Sequence, residues 1–205
     1  GGVQGMRTYR VYATTANSTD ALSAVAGLAT SPLEIATTTS FYQHPLGSSV
    51  PNLLNPLFFG PYPELEFDSY VTIGLSGPVQ DGEGAVQVAE TPSELWASTF
   101  EAGGNINISS ITGGAWFVQP GYTNAIAGDD HRVLIGQFTT DGYLSGQMLI
   151  QVFPEGDQAS EIQYTASFST PTCACTDESA CNYDGNALWD DGTCQYPIDV
   201  YGIDY

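Results

Sequence analysis

Short runs of alternating apolar and polar residues follow one another along most of residues 7–168. They are rich in Val, Ile, Thr, Tyr and Phe, which is typical of strands with one buried face and one hydrated face. Turn-forming Gly, Pro, Asn and Asp stand between them. The pattern predicts strands at residues 7–14, 33–42, 64–75, 85–90, 105–112, 114–119, 132–140, 143–153 and 161–168.

The alternation is most regular at residues 64–71. Leu65, Phe67 and Val71 are predicted to share the buried face of a strand there. The acidic residues between them, up to Asp68, would then form its solvent face.

Glycine-containing turns predict two hairpins. Asp141–Gly142 stands between two predicted strands, and Asp-Gly accepts the positive φ values of a type I′ turn. We therefore expect residues 132–140 and 143–153 to pair as an antiparallel hairpin. Gly82 and Gly84 predict a second, looser one.

One short helix is predicted near residues 91–100. Thr91 would be its N-cap, Pro92 its first residue, and Glu94 would complete a capping box. Leu95 and Trp96 would then face inward.

Many short strands with Gly and Pro between them, and little helical periodicity, favour an all-β fold. We expect a β-sandwich of jelly-roll or immunoglobulin-like type at residues 1–172. Residues 173–205 would form a separate connector rich in Cys and Asp, ending in a strand-like segment.

All four cysteines lie in this connector, at Cys173, Cys175, Cys181 and Cys194. Their spacing lacks the C-x2-C pairs and the histidines of a typical zinc site, so disulfides are the favoured interpretation. Three pairings are open. Because a Cys173–Cys175 bridge would close a strained loop, we favour Cys175 with Cys181 and Cys173 with Cys194. Disulfides imply an extracellular or cell-surface protein.

Charge excludes two classes of partner. The chain has 23 acidic residues against three arginines and no lysine, for a net charge of -20. Nucleic acid and anionic lipid are bound through Lys and Arg, so neither is an expected partner. Such charge calls for a saline or calcium-containing medium, although it could instead serve solubility alone. No apolar run is long enough to cross a membrane, and no secretory leader is present, so we expect a processed piece of a larger polypeptide.

The connector resembles a known repeat. The sequence from Cys175 to Cys194, CTDESACNYDGNALWDDGTC, is similar to the CTD…ACNYD…DDGSC repeat of large, secreted, multidomain surface proteins of aquatic bacteria and some algae. The resemblance extends weakly to the preceding β region. It implies a structural or adhesive role without enzymatic activity. Thr193 stands where Ser is usual, and Cys173 is additional to the repeat.

Calcium is the cofactor expected for the connector. Oxygen-bearing side chains at alternate positions around a glycine resemble the start of a calcium loop, although the glutamate that normally completes such a loop is missing. The alternative is a series of turns in which these side chains accept backbone N–H groups. The candidate ligands are Asp177, Asn182, Asp184, Asn186, Asp190 and Asp191.

Catalytic groups are sparse, and we expect no enzymatic activity. Asp129, Asp130, His131 and Arg132 form the one cluster with acid–base potential, but no nucleophile motif or H-E-x-x-H accompanies it. A loop in which Arg132 pairs with an aspartate is the simpler interpretation. His44 is predicted to be a loop residue.

Carbohydrate binding is the alternative function. Sugar sites combine aromatic platforms with carboxylates or calcium, and residues 58–68 carry both groups. The simpler interpretation is a bent loop with its aromatic side chains in the core. The residues concerned are Phe58, Phe59, Tyr62, Glu64, Glu66 and Asp68.

Two sequons mark candidate glycosylation sites at Asn17 and Asn107. Each lies beside or within a predicted strand, where its side chain could face solvent.

The last ten residues alternate apolar residues with Asp199 and Asp204, a strand pattern too short to fold alone. We expect this segment to add a strand to an open edge of another copy, giving head-to-tail filaments. It could instead fold back on the connector or lead into a further domain. The residues that would make this contact are Ile198, Val200, Tyr201, Ile203 and Tyr205.

Overall fold

The computed structural model describes residues 2–170 and, beyond them, residues 173, 174, 176–180, 183, 185, 189, 190 and 192–195. The chain forms two compact units, Gly1–Phe168 and Ser169–Tyr205. The domain boundary predicted after Thr172 lies outside the described residues and stays a prediction.

Residues 2–170 contain ten strands and one short α-helix, α1 (Trp96–Glu101). Short 3-10 helices occupy several of the connections, at Pro51–Leu53, Pro56–Phe58, Pro63–Phe67, Thr123–Ala125, Pro154–Gly156 and Gln158–Ser160. The strands are β1 (Arg7–Thr14), β2 (Ala21–Gly27), β3 (Leu33–Thr37), β4 (Tyr70–Val71), β5 (Gln87–Ala89), β6 (Ile106–Ile108), β7 (Gly114–Phe117), β8 (Arg132–Thr140), β9 (Leu144–Phe153) and β10 (Ile162–Ser169).

These strands form two antiparallel sheets, so the first unit is mainly β, as predicted. The smaller sheet has the order β1-β8-β4. The larger has the order β5-β7-β2-β9-β3-β6, with β10 also paired to β9.

One hydrophobic core holds buried residues of both sheets. Trp116 of the larger sheet is fully buried there, and its indole N–H donates to the carbonyl oxygen of Thr72, just after β4, at 3.1 Å. Phe138 of the smaller sheet packs between Phe41 and the α1 residue Phe100, with ring centroids 5.6 and 6.0 Å away. Apolar burial on this scale is the dominant favourable term in folding.

The predictions of β1 and β8 are confirmed residue for residue, and β9 and β10 begin within a residue of their predicted positions. Strand β2 was not predicted. Its sequence, ALSAVAG, is rich in Ala and Ser, which have little intrinsic β propensity. It forms because β7 and β9 pair with it on both sides, and its residues are mostly buried.

The Asp141–Gly142 hairpin prediction is wrong. Strands β8 and β9 flank this turn but belong to different sheets, so the turn carries the chain across the core. Thr140 Oγ1 accepts the Gly142 N–H at 3.0 Å, and the N–H of Tyr143 donates to Thr38 Oγ1 at 3.0 Å. The looser hairpin at Gly82 and Gly84 is also not formed, because no strand of residues 72–86 precedes β5.

The predicted capping box is wrong as well. The helix begins at Trp96, and Glu94 instead accepts the backbone N–H groups of Ser109 and Ser110. Glu90 takes the capping role, since its carboxylate accepts the N–H of Ala97 at 2.6 Å. Trp96 is buried as predicted, but Leu95 is half exposed.

The strand predicted at residues 64–75 is reduced to β4. A 3-10 helix, Pro63–Phe67, precedes β4, so period-two alternation does not apply there. Leu65 and Val71 are buried, Phe67 is half-buried, and Asp68, expected on the solvent face, is fully buried.

In the second unit, β11 (Cys173–Ala174) pairs in parallel with β12 (Trp189–Asp190). Among the described residues of the whole chain, no helix has the length and apolar character needed to cross a membrane.

Candidate functional site

The outer face of the smaller sheet is polar. Alternation along β1 turns Tyr9 and Val11 toward the core and leaves Thr8 and Arg10 on the opposite face. On β8, Gln137 lies directly opposite Arg10. The outer face therefore carries the Arg10 cation beside the Gln137 amide, whereas a face that packed on the core would be apolar.

Gln137 holds Arg10 in place. The Gln137 side chain is 1% exposed, and its Nε2 donates to the carbonyl oxygens of Glu66 and Asp68, both at 3.0 Å. These two bonds fix which end of the amide is the oxygen. That oxygen accepts the Nε–H of Arg10 at 3.0 Å, so the guanidinium is held by a buried, already satisfied group.

Asp68 anchors the loop at residues 44–48. Its carboxylate is fully buried and accepts the N–H of His44 at 2.7 Å and of Ser48 at 3.0 Å. Burial raises the pKa of Asp68 to about 6, against the lowering effect of these N–H donors. A Cβ on Gly47 would overlap the carboxylate, so the loop needs glycine there. Asp68 thus serves the architecture and cannot contact a ligand.

A cavity of about 580 Å³ lies between this face and the covering 3-10 segment. Burial raises the pKa of Tyr70 to about 12, against the opposing charge of Arg10. The lining combines aromatic, hydroxyl and charged groups, as ligand sites do. It comprises Thr8, Arg10, Leu54, Phe59, Leu65, Glu66, Phe67, Tyr70, Ser76 and Gln137.

A second cavity, of about 470 Å³, adjoins the first at Arg10 and Ser76, which line both. Its wall includes Tyr12, whose ring lies 4.5 Å below the Arg132 guanidinium. Asp129 and Asp130 also line it. The two cavities share Arg10 and Ser76, and we call the pair together the Arg10 cleft.

Part of the predicted sugar platform lies beside this cleft. Phe58 and Tyr62 are 37% and 45% exposed, with ring centroids 6.4 Å apart, and the His44 ring lies 5.7 Å from Tyr62. Glu64 is exposed, whereas Glu66 and the half-buried Phe59 line the cleft itself. The prediction thus combined three environments: an exposed ring group, a cleft wall and the buried Asp68.

In the cluster at residues 129–132, residues 129–131 form a surface loop and Arg132 begins β8. Arg132 pairs with Asp130 at 3.2 Å, and both side chains are largely exposed. His131 has φ 52° and its Nδ1 lies 3.1 Å from the carbonyl oxygen of Ala16. The pairing of Arg132 with an aspartate is as expected from the sequence.

The two candidate calcium ligands that the structure describes both form turns. Asp177 Oδ1 accepts the Ser179 N–H at 2.9 Å, and Asp190 Oδ1 accepts the Gly192 N–H at 2.8 Å. No group of three or more His, Cys, Asp or Glu is arranged as a metal site within the described part of the chain. The other four candidates, Asn182, Asp184, Asn186 and Asp191, lie outside the described residues.

Cys194 is disulfide-bonded, and its partner is one of the cysteines whose side chains are not described. The predicted pairings involving Cys173, Cys175 and Cys181 therefore stay predictions. The self-assembly residues Ile198, Val200, Tyr201, Ile203 and Tyr205 also lie outside the described residues.

Both sequons are on the surface. Asn17 is exposed in a turn, where its side-chain N–H donates to Asp20 at 3.2 Å. Asn107 is the exposed middle residue of β6.

The sequence analysis missed Arg10 and Gln137, since they are 127 residues apart. A weak signal was present in Gln137, a polar residue between apolar neighbours in a strand. The segment at residues 51–67 carried a clearer signal. Pro51, Pro56 and Pro63 each begin a 3-10 helix, a position that proline favours.

Comparisons of the chain with protein-family models, curated proteins and solved structures found no match.

Proposed function

We propose that the chain is an extracellular structural module of a cell-surface or fibre-forming protein, which assembles head to tail and has no catalytic role. In this proposal the first unit is a β-sandwich of jelly-roll or immunoglobulin-like type. A disulfide-stapled connector, stabilised by calcium, links it to the next module. The observation that supports assembly is the open edge of β1, which we define as the side of residues 8–14 away from β8.

Among the described residues, β1 pairs with β8 alone. The opposite edge of the same sheet is different, since β4 has only two residues and the N–H of Val71 donates to the Ser49 carbonyl at 2.9 Å. The end strands of the larger sheet's order, β5 and β6, have three residues each, whereas β10 has eight and, among the described residues, pairs with β9 alone. Strand β10 carries no charged residue, so it lacks the cations that would match an acidic donor. Short or covered edges resist pairing with other chains, whereas β1 offers residues 8–14 as a template.

Charge makes an acidic strand a suitable partner. A cation on an edge normally protects it, and β1 carries two of the three arginines of the chain. The segment at residues 196–205 carries Asp199 and Asp204 between its apolar residues. Arginines on the acceptor and aspartates on the donor would favour this pairing over association between two copies of β1.

The connector supports the proposal through its composition. Its four cysteines fit an oxidising compartment, and its repeat-like sequence resembles those of multidomain surface proteins. Exposed sequons at Asn17 and Asn107 are consistent with a secreted glycoprotein.

The test is to delete residues 197–205 and follow assembly by light scattering and electron microscopy. The full chain should form filaments and the deletion should remain monomeric. Deletion of residues 1–6 is the matched control, because that Gly-rich segment lacks a strand pattern and its loss should leave filaments intact. A full chain that stays monomeric at high concentration, or filaments that survive loss of residues 197–205, would contradict the proposal.

A second candidate function is calcium-dependent carbohydrate binding, as in an adhesin. The exposed rings of Phe58 and Tyr62, with the half-buried His44 beside Tyr62, favour it, because sugars stack on exposed aromatic rings. A glycan array probed with and without a chelator tests it. Binding that Tyr62→Ala removes supports this function, and an array without signal contradicts it.

A further inference from the structure

Arg10 is a cation without a carboxylate partner in a strongly acidic protein. Within the described part of the chain, its side chain makes one hydrogen bond, from Nε to Gln137, and no ion pair. Arg132, by contrast, is paired with Asp130. With 23 acidic residues in the chain, the lack of a paired carboxylate at Arg10 leaves the position open to an external anion.

The guanidinium is also preorganised. Arginine has five N–H donors in a planar fork, and the bond to Gln137 uses one of them. Gln137 is itself buried and fixed by two backbone carbonyls, so Arg10 loses less conformational freedom when it binds. The remaining donors match the two oxygens of a carboxylate, which binds a guanidinium through paired hydrogen bonds.

The walls of the cleft select the rest of the ligand. Tyr12 and Phe59 provide apolar ring surface, and Thr8 and Ser76 provide hydroxyl groups. The carboxylates among the lining residues can accept hydrogen bonds from a ligand's hydroxyl groups, but they would repel a chain of many carboxylates. The acidic residues concerned are Glu66, Asp129 and Asp130.

We propose that the Arg10 cleft binds a saccharide that carries a carboxylate, a uronic acid unit, with its carboxylate on Arg10 and its hydroxyls on the flanking acidic and hydroxyl groups. The adjoining cavities, of about 580 and 470 Å³, give room for more than one sugar unit. An acidic peptide fits less well because it would meet three carboxylates and a single unpaired arginine. The proposal deepens the second candidate function, on which it rests, since it names the site and the sugar class.

The net charge of -20 does not prevent such binding in a saline medium. At physiological ionic strength the screening length is about 8 Å, so distant acidic residues contribute little repulsion. Binding should nevertheless strengthen when moderate salt replaces very dilute buffer. A site that relied on many cations would show the opposite dependence.

Calorimetry of the full chain with a galacturonate trimer, a neutral glucose trimer and a short oligo-glutamate tests the site. We expect the galacturonate trimer to bind more tightly than either of the others. Arg10→Gln should weaken its binding by about tenfold to a hundredfold, the value of a charged hydrogen-bonded pair. Arg10→Lys keeps the charge but loses the planar fork of donors. Its affinity for the galacturonate trimer should therefore lie between that of the wild type and that of Arg10→Gln. This variant also tests the site should Arg10→Gln fail to fold.

Arg7→Gln is the matched control, because it removes the same charge from the same strand and Arg7 does not line the cleft. It should leave the affinity unchanged. Equal binding of the neutral trimer, insensitive to Arg10, would overturn the carboxylate site and leave carbohydrate binding standing. Absence of all sugar binding would overturn both carbohydrate proposals but not head-to-tail assembly. Tighter binding of oligo-glutamate would assign the cleft to an acidic peptide instead.

Discussion

The two sheets of the first unit share a core but differ on their outer faces. On the larger sheet, a cavity of about 310 Å³ is lined by small or uncharged residues such as Ala24, Ala26 and Ala115. On the smaller sheet, the outer face carries Arg10 and the cleft with its charged walls. The smaller sheet also contributes the long open edge of β1. In our proposal the larger sheet mainly supplies stability, while the smaller sheet presents the surfaces for binding and assembly.

The largest expected effect comes from the core face of the larger sheet. Trp116→Ala should lower the free energy of unfolding by about 3–5 kcal/mol, because it leaves a cavity in the core and removes the donor to the Thr72 carbonyl. Urea unfolding measures this loss. Phe117→Ala, on the next residue but on the outer face and half-buried, should cost clearly less. Equal losses would break the distinction between the two faces of this sheet.

The next largest effect concerns the loop at residues 44–48, which the Asp68 carboxylate holds. Asp68→Asn should destabilise the protein at pH 7 by about 1–3 kcal/mol, since one of the two N–H donors of His44 and Ser48 then meets an amide NH₂ instead of a carboxylate oxygen. Burial raises the pKa of Asp68 to about 6, above the ordinary value of an aspartate. The folded state therefore binds this proton more tightly than the unfolded state, and the associated stability is lost as pH rises through about 6. The gap between wild type and Asp68→Asn should narrow from pH 5 to pH 7.

Asp20→Asn is the control for this pH dependence. Asp20 is 4% exposed, and although burial acts to raise its pKa, the N–H groups of Glu155 and Asn17 lower it overall. Its contribution to stability is therefore present above its ordinary pKa and is lost only at more acidic pH. The stability gap for Asp20→Asn should stay constant from pH 5 to pH 7. A parallel response of the two variants would show that Asp68 does not titrate in this range.

The smallest effect is expected on the rim of the cleft. Arg132→Gln removes an exposed ion pair with Asp130 and the contact with the Tyr12 ring. Exposed pairs contribute little, so the free energy of unfolding should fall by about 0–1 kcal/mol. Thermal unfolding followed by circular dichroism measures it. A loss as large as that of Trp116→Ala would mean that the outer face of the smaller sheet also carries the stability of the fold.

The parts of the fold that could be predicted from sequence are those in which local pattern and burial agree. The sequences of β1 and β8 alternate apolar and polar residues or carry β-branched residues, and turn-forming residues flank both strands. Strand β2 could not be predicted, because its alanines take part in a sheet only through their neighbours β7 and β9. The Asp141–Gly142 turn shows the same limit, since a local turn signal does not determine which sheet the next strand joins.

The candidate site was less predictable because its parts are distant in sequence. The bond from Arg10 to Gln137 depends on the register between β1 and β8, which no short motif encodes. Burial of Asp68 depends on the loop at residues 44–48 folding over its carboxylate. The aromatic residues were located correctly as a group, but their division between an exposed cluster and a cleft wall required the tertiary structure.

Hydrogen exchange of the full chain at low and high protein concentration tests the proposed assembly most directly. At low concentration the amides of β1 that do not bond to β8 should exchange quickly, because nothing described pairs with that edge. At high concentration, or after addition of a peptide of residues 196–205, those amides should become protected while β5 and β6 stay unchanged. Protection that appears on β10 or elsewhere on the larger sheet instead, or β1 amides that exchange equally fast under all conditions, would contradict the account.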